Sequence, residues 1–270
     1  MSAIKYGSQA YPWQMNAEKF KGQVPHMCDI LVQAGFTGLE SEIIMLGDYY
    51  QDWRKLKALL DEKGVQFAAL AIHEDWLLPK ETEGEFARTN QAIEFLTHFP
   101  AAKLLIAYVA ADPVREHNLR EKQENQLSCL KAIAERALEQ GVVPVFHPNS
   151  APNSAFLYEE DYKVLFDGLY KTQCGYCPDV GHMLNGNIDP LKTIKEVRDR
   201  VQHVHFKDMD ASHSFATMGT GIGDFASIVR YLEETDYRGW IMTEDESPDA
   251  VADSDGVVLA DGKYMASIRG

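Results

Sequence analysis

The run Glu139-Gln140-Gly141-Val142-Val143-Pro144-Val145-Phe146-His147-Pro148-Asn149 carries the pattern that decides the fold. It closes a long amphipathic helical stretch, Arg120–Gln140, at a glycine suited to a left-handed stop. It then enters a short β-rich run that ends in polar residues. The helix–glycine–strand phrase recurs at Ala34-Gly35-Phe36, Lys63-Gly64-Val65 and Arg238-Gly239-Trp240. Working outward, β-rich runs fall at Ile4–Ser8, Gly38–Glu42, Gln66–Ile72, Lys103–Val109, Val143–His147, Cys174–Asp179, His203–Lys207 and Trp240–Glu244, which makes eight. Helical patterns separate them. Trp53–Lys63 places Leu56, Leu59 and Leu60 on one face, Glu85–Phe99, Tyr158–Tyr170 and Leu191–Arg200 come next, and Phe225–Glu234 starts after a candidate cap, Asp224. This alternation predicts an α/β chain folded as a (β/α)8 TIM barrel, one domain over 1–270, with 247–270 supplying a short, partly irregular last helix and tail. The competing doubly wound sheet calls for a Gly-rich phosphate loop after an early strand, and Gly7-Ser8-Gln9 is not one.

Of the 270 residues, 41 are acidic and 26 basic, giving a net charge of −15, and 45% are hydrophobic. A globular core of this size buries about 70–75% of the unfolded chain's surface, so folding needs no disulfide or metal staple. An acidic chain without a basic stripe excludes a broad nucleic-acid footprint and adhesion to anionic membranes. It leaves a small anionic substrate compatible, because local charge can oppose net charge. Met1–Lys21 lacks an apolar core of the secretory type, and no window of about 18 apolar residues occurs. The cytoplasm is therefore the default expectation. Cys28, Cys129, Cys174 and Cys177 are expected to be reduced structural thiols, since Cys174 and Cys177 point to opposite faces of a strand-like run.

Chemistry in such a barrel sits at the C-terminal ends of the strands. Here those ends are polar: Glu40-Ser41-Glu42, His73-Glu74-Asp75, His147-Pro148-Asn149, Asp179-Val180-Gly181-His182, His203 to Asp208, and Thr243-Glu244-Asp245-Glu246. Strand alternation puts His203, His205 and Lys207 on one face of the seventh strand, and Glu244 with Glu246 on one face of the eighth. His147, Asp179, His205 and Glu244 then point inward at one height, each from its own βα unit. Two imidazoles and two carboxylates suit one divalent ion of the Mn2+, Co2+, Zn2+ or Fe2+ kind better than Mg2+. Each residue alone has a structural alternative: a core histidine, a helix-capping Asp179, a solvated Glu244. Their recurrence in successive strands favours the metal. Trp13 is a candidate wall for an apolar ring face and His73 a candidate substrate contact. The loop Met209–Asp224, with Gly219, Gly221 and Gly223, is expected to border the pocket with Lys207 at its base.

Four phrases together carry a family resemblance: Pro178-Asp179-Val180-Gly181-His182, His203-Val204-His205-Phe206-Lys207-Asp208, Gly219-Thr220-Gly221-Ile222-Gly223-Asp224-Phe225 and Tyr237-Arg238-Gly239-Trp240-Ile241-Met242-Thr243-Glu244. The chain resembles the xylose isomerase-like TIM barrels, the sugar phosphate isomerases/epimerases, over its whole length and most closely from Val142 to Ser247. The resemblance implies Asp179, His205 and Glu244 as metal ligands, His182 as a substrate contact, and Glu40 as a structural or substrate-facing acid. The sugar epimerases carry a glutamate ligand on the fifth strand, where this chain has His147. That histidine and the Gly-Trp-Ile-Met-Thr-Glu-x-Glu ending resemble the inosose dehydratase branch.

The resemblance implies a divalent-metal-dependent isomerase or epimerase of a ketose, keto-sugar or cyclitol. The metal polarises a carbonyl and its neighbouring hydroxyl, a base takes the α-proton, and an enediolate is reprotonated. Glu244 would serve as ligand and base, with His182 and Lys207 as proton donors or substrate anchors. Two alternatives stand beside it: an inosose-dehydratase-like lyase that loses water from the same enediolate, and a non-catalytic sugar-binding barrel. A DNA-repair endonuclease of the same fold is set aside by the charge. The expected partner is a small sugar or cyclitol, with neither nucleic acid nor membrane, and a homo-oligomer is left open.

Overall fold

The computed structural model describes residues 4–108 and 112–269. Its main sheet contains β1 (Lys5–Gln9), β2 (Gly38–Glu42), β3 (Gln66–Glu74), β4 (Lys103–Tyr108), β5 (Val143–Phe146), β6 (Gly175–Tyr176), β7 (Val204–Phe206) and β8 (Trp240–Thr243). The strands lie in the order β6-β5-β4-β3-β2-β1-β8-β7, so β1 to β6 follow one another in sequence order, and β8 lies between β1 and β7. That order, with a helical crossover between parallel strands, is the α/β (β/α)8 barrel. Val109, at the end of the expected fourth run, lies outside the described residues. By internal contacts the chain forms two compact units, Met1–Ala69 with His203–Gly270, and Leu70–Gln202; β3 runs through their boundary.

In the first unit, the core is set by two glycines that face each other in the β1–β2 register, Gly7 opposite Gly38. Neither position has room for a Cβ. Met242 fills the space at Gly7, and the Trp240 ring lies against Gly38. Trp240, Met242 and Ala68 pack together there. On β7, Val204 and Phe206 take the face opposite His205, and Phe206 packs on Phe225 with ring centroids 4.8 Å apart. Phe225 opens the helix Phe225–Glu234, whose cap Asp224 accepts from Ser227 N at 3.1 Å, as its sequence position implies.

The last helix departs from expectation. It runs unbroken over Ser254–Ile268, longer and more regular than the glycines at 256 and 262 suggest. Asp253 caps it by accepting from Gly256 N, and Gly262 is where the backbone of Ala34 approaches too closely for a Cβ. Burial of Val257, Val258 and Met265 then outweighs the poor helix propensity of glycine. Of the four glycines read as helix stops, Gly35, Gly64 and Gly141 have φ of 76°, 68° and 76°. Gly239 does not. Asp236 takes the left-handed position after its helix, with φ 52°, and Gly239 instead makes room for the Tyr237 ring.

In the second unit, β4, β5 and β6 pair in parallel, with Leu105 opposite Val145 and Val145 opposite Gly175. The sixth run is paired as strand for only two residues, Gly175–Tyr176, and Asp179, still extended, caps the helix Val180–Asn185. The helix Glu83–Leu96 begins with a reciprocal capping box between Thr82 and Glu85. The four cysteines are buried and none is in a disulfide, as expected of structural thiols. Among the described residues, no helix is long and apolar enough to cross a membrane.

Gly38→Ala tests the packing of the first unit. The added methyl overlaps the Trp240 ring, so we expect a loss of about 1–3 kcal/mol in urea denaturation, typical of an overpacked core. A midpoint equal to that of the unmodified chain would show that Trp240 does not pack against β2 in solution.

Candidate active site

In the second unit, His147 comes directly after β5 and its backbone N–H donates to Ile106 O at 2.9 Å, which extends the ladder by one residue. Asp179 does two jobs. Its Oδ1 accepts from His182 N at 2.7 Å, capping the short helix, while its Oδ2 lies 3.4 Å from His147 Nε2. The structural alternative and the ligand reading of Asp179 are thus compatible, because they use different oxygens. His182 joins these two: the candidate ligand atoms of His147, Asp179 and His182 all lie within 4.8 Å of one another. Two donors on one ion, each with a bond near 2.1 Å, sit about 3–4 Å apart, so this spacing fits a small divalent ion after slight closure. All three side chains are buried. His182 Nδ1 and Ser150 Oγ are hydrogen-bonded at 2.8 Å, and Asn185 Nδ2 donates to Ser150 Oγ at 3.0 Å. Ser150 thereby fixes the His182 ring.

In the first unit the charged side chains form an alternating chain. His203 Nε2 donates to Glu40 Oε2 at 2.7 Å, and His205 Nε2 lies 2.9 Å from Glu40 Oε1. His205 Nδ1 donates to Glu244 Oε2 at 2.9 Å. Lys207 Nζ is 3.1 Å from that same oxygen and also donates to Glu246 Oε1. Three residues of one β7 face, His203, His205 and Lys207, therefore meet three acids. Glu40 and Lys207 have 0% exposure, so neither charge is neutralised by water. Burial pushes the Glu40 carboxyl up, but the charge of His205 and the hydrogen bonds from His203 and His205 outweigh it and hold the group at about 2.

Asp208, the sequence neighbour of Lys207, turns elsewhere. Its carboxylate accepts from the backbone of the glycine loop: Gly219 N at 2.9 Å, Gly221 N at 2.8 Å and Gly223 N at 3.1 Å. Phe215, in the hairpin of Asp208–Met209 with Phe215–Ala216, places its ring 5.1 Å from Lys207 Nζ. Lys207 thus stands at the base of this loop.

The remaining candidates have other surroundings. Trp13 is fully buried and its indole donates to Asp255 Oδ1 at 2.7 Å, tying the first turn to the last helix. His73 is exposed near the end of β3. Glu40 shows no surface at all, and its two imidazole partners give it an orienting role. Sequence reading missed Ser150 and the pairing of Glu246 with Lys207. Ser150 lies just past His147-Pro148-Asn149, and only the return of the chain at His182 gives it a partner. Glu246 shares its strand face with Glu244 but reads as a rim acid; its side chain is 19% exposed.

A family model described as xylose isomerase-like TIM barrel matches residues 28–266, and the chain belongs to that family. An inosose dehydratase of Lacticaseibacillus casei is 26% identical over 270 residues, covering 88% of this chain and 87% of the relative. A 3-keto-D-glucoside 4-epimerase from E. coli superposes with a TM-score of 0.73 at 16% identity, covering 98% of each chain. The IOLI protein, solved with a zinc atom, superposes with a TM-score of 0.77 at 13% identity, covering 98% of each.

Glu40→Gln probes the buried chain. The folded pKa of Glu40 lies below its ordinary value, so its contribution to stability is complete above about 4.5 and fades as pH falls toward 2. The shift corresponds to on the order of 3 kcal/mol. We expect Glu40→Gln to lose about that much at pH 7, with the gap to the unmodified chain narrowing below pH 4.5. A pH-independent gap in denaturant titrations would contradict this.

Proposed function

We propose that this member of the xylose isomerase-like TIM barrel family is a divalent-metal-dependent enzyme that removes the proton α to the carbonyl of a keto-cyclitol or keto-sugar and then eliminates water. The proposed ligands are those read from the sequence: His147, Asp179, His205 and Glu244. Support comes from each unit separately. His147 and Asp179 meet in one, and in the other His205 Nδ1 and Glu244 Oε2 are 2.9 Å apart, close to the spacing of two ligands on one ion. When bound, the ion supplies Lewis-acid polarisation of the carbonyl and its neighbouring hydroxyl. A zinc atom in the solved IOLI protein supports the borderline ions.

The chain's own residues perform the rest. Glu244, oriented through Oε2 by His205 and Lys207, takes the α-proton. The electron pair of the broken C–H bond becomes the C=C of the enediolate. As the enediolate collapses, the β C–O bond breaks, and the oxygen leaves as water with a proton from His182, whose ring Ser150 holds. One water is lost and nothing is oxidised.

The observation that carries this reading is His147. A glutamate there would add a second carboxylate able to move protons, whereas a ligating imidazole has no basic nitrogen left to face substrate. Epimerisation needs proton-transfer groups on both faces of one carbon; elimination needs one base and one acid. The sequence alone ranks isomerisation or epimerisation first. His147 together with the inosose dehydratase relative moves elimination ahead. Epimerisation is the second reading, favoured by the presence of both Glu244 and His182, which could serve opposite faces.

Metal analysis combined with solvent deuterium exchange into a panel of inososes and keto-sugars tests this. We expect deuterium at the α-carbon together with loss of water. Asp179→Asn should retain its circular dichroism and lose the metal. Exchange without water loss would establish epimerisation instead. A bound metal with no exchange in any substrate would leave a sugar-binding barrel.

A further inference from the structure

The loop after β7 is built as an anion site. Gly219, Gly221 and Gly223 direct three backbone N–H groups onto one carboxylate, and Met209 N adds a fourth bond at 2.8 Å. Gly219 has φ 83°, and a Cβ at Gly221 would overlap Asp208 itself, so the loop needs glycine to close on an oxyanion. The helix Phe225–Glu234 starts two residues beyond Gly223, which adds its positive end. Convergent amides at a helix start after strand seven are the device by which barrels hold phosphate. Here both oxygens of Asp208 fill it, and Asp208 is 1% exposed.

We propose that Asp208 is a resident anion in this backbone site, and that it closes the loop after β7 to phosphate groups. Lys207 is the one lysine or arginine among the described residues at the ends of β1, β2, β7 and β8, and it is fully buried between Glu244 and Glu246. The loop amides are thus committed to Asp208 and the Lys207 ammonium to two glutamates, so neither is offered to a phosphate dianion. Given the metal-dependent reading above, on which this step rests, the substrate is an unphosphorylated polyol ketone. Its hydroxyls find carboxylate acceptors, where a phosphate would meet repulsion.

Thermal melting of the full chain in chloride, acetate, formate and phosphate at matched ionic strength tests the resident anion without any turnover. The unmodified chain should show no saturable response to any of these anions. Asp208→Ala should melt several degrees lower in chloride and recover saturably in acetate or formate, which occupy the vacated amides. Asp208→Asn keeps the shape but turns an N–H2 toward the glycine amides, so it should also melt lower and should not respond to acetate. Saturable stabilisation of the unmodified chain by phosphate would overturn the proposal. So would a folded Asp208→Ala that ignores carboxylates, or an Asp208→Asn that melts with the unmodified chain. The substrate step is read separately: inorganic phosphate should not inhibit α-proton exchange, and competitive inhibition would overturn that step. Failure of the metal-dependent reading would leave the melting results intact.

Discussion

A carboxylate with no exposed surface has to find its charge compensation inside the protein, and Glu40 is such a group. Two imidazoles from one face of β7 supply it. The same alternation that aims His203 and His205 at Glu40 aims Lys207 to that face as well, and a buried ammonium carries the same demand. Glu244 and Glu246, two apart just beyond the strand that pairs with β7, meet it. The chain His203–Glu40–His205–Glu244–Lys207–Glu246 therefore alternates a nitrogen donor with a carboxylate at every step. Removing one member strands its neighbours in low dielectric, which costs more than the pair itself contributes. The candidate base Glu244 sits in the middle of this chain. Its orientation is fixed before any substrate arrives, which is the preorganisation that proton transfer needs.

Two aspartates at strand ends show how the same local chemistry serves different purposes. A strand that gives way to a loop or helix leaves backbone N–H groups without ladder partners, and a carboxylate nearby satisfies them. Asp179 uses one oxygen in this way on His182 N and keeps the other near His147. Asp208 uses both, on the amides of Met209 and three glycines. The difference lies in the segment that each residue introduces. Asp179 opens a helix with a single short turn of unsatisfied donors, while Asp208 leads into a glycine loop that can wrap a whole carboxylate.

Much of the fold was legible because it rests on periodicity. The alternation of β-runs with amphipathic stretches, and glycine after the helices that end at Gln33, Lys63 and Glu139, is enough to order eight strands. Gly239 misleads because a glycine can serve close packing as well as a left-handed φ, and sequence does not distinguish the two. The last helix misleads in the opposite direction: its two glycines lower propensity, and only the tertiary burial of Val257, Val258 and Met265 recovers it. At the site, strand parity correctly grouped His203, His205 and Lys207. Parity names a face but not a partner. It could not show that Lys207 faces Glu246 rather than its neighbour Asp208, nor that Ser150 meets His182 from 32 residues away. Trp13 illustrates the same limit, since its buried indole answers to Asp255 near the far end of the chain.

Charge balance connects these features to the kind of molecule the site can accept. With His147 rather than glutamate among the proposed ligands, a divalent ion would be balanced by two carboxylates and two neutral imidazoles, which would leave the ligated site neutral. A glutamate ligand would leave it at −1. The neutral site attracts a carbonyl oxygen and stabilises negative charge that develops on it more strongly. It has no lasting positive charge with which to hold a dianion. Lys207 cannot supply one, because two glutamates already surround it, and the loop that could have offered backbone amides holds Asp208. Each of these three features alone has a structural explanation. Under the proposed reaction, together they would reserve the site's electrostatic work for charge that develops on an uncharged substrate.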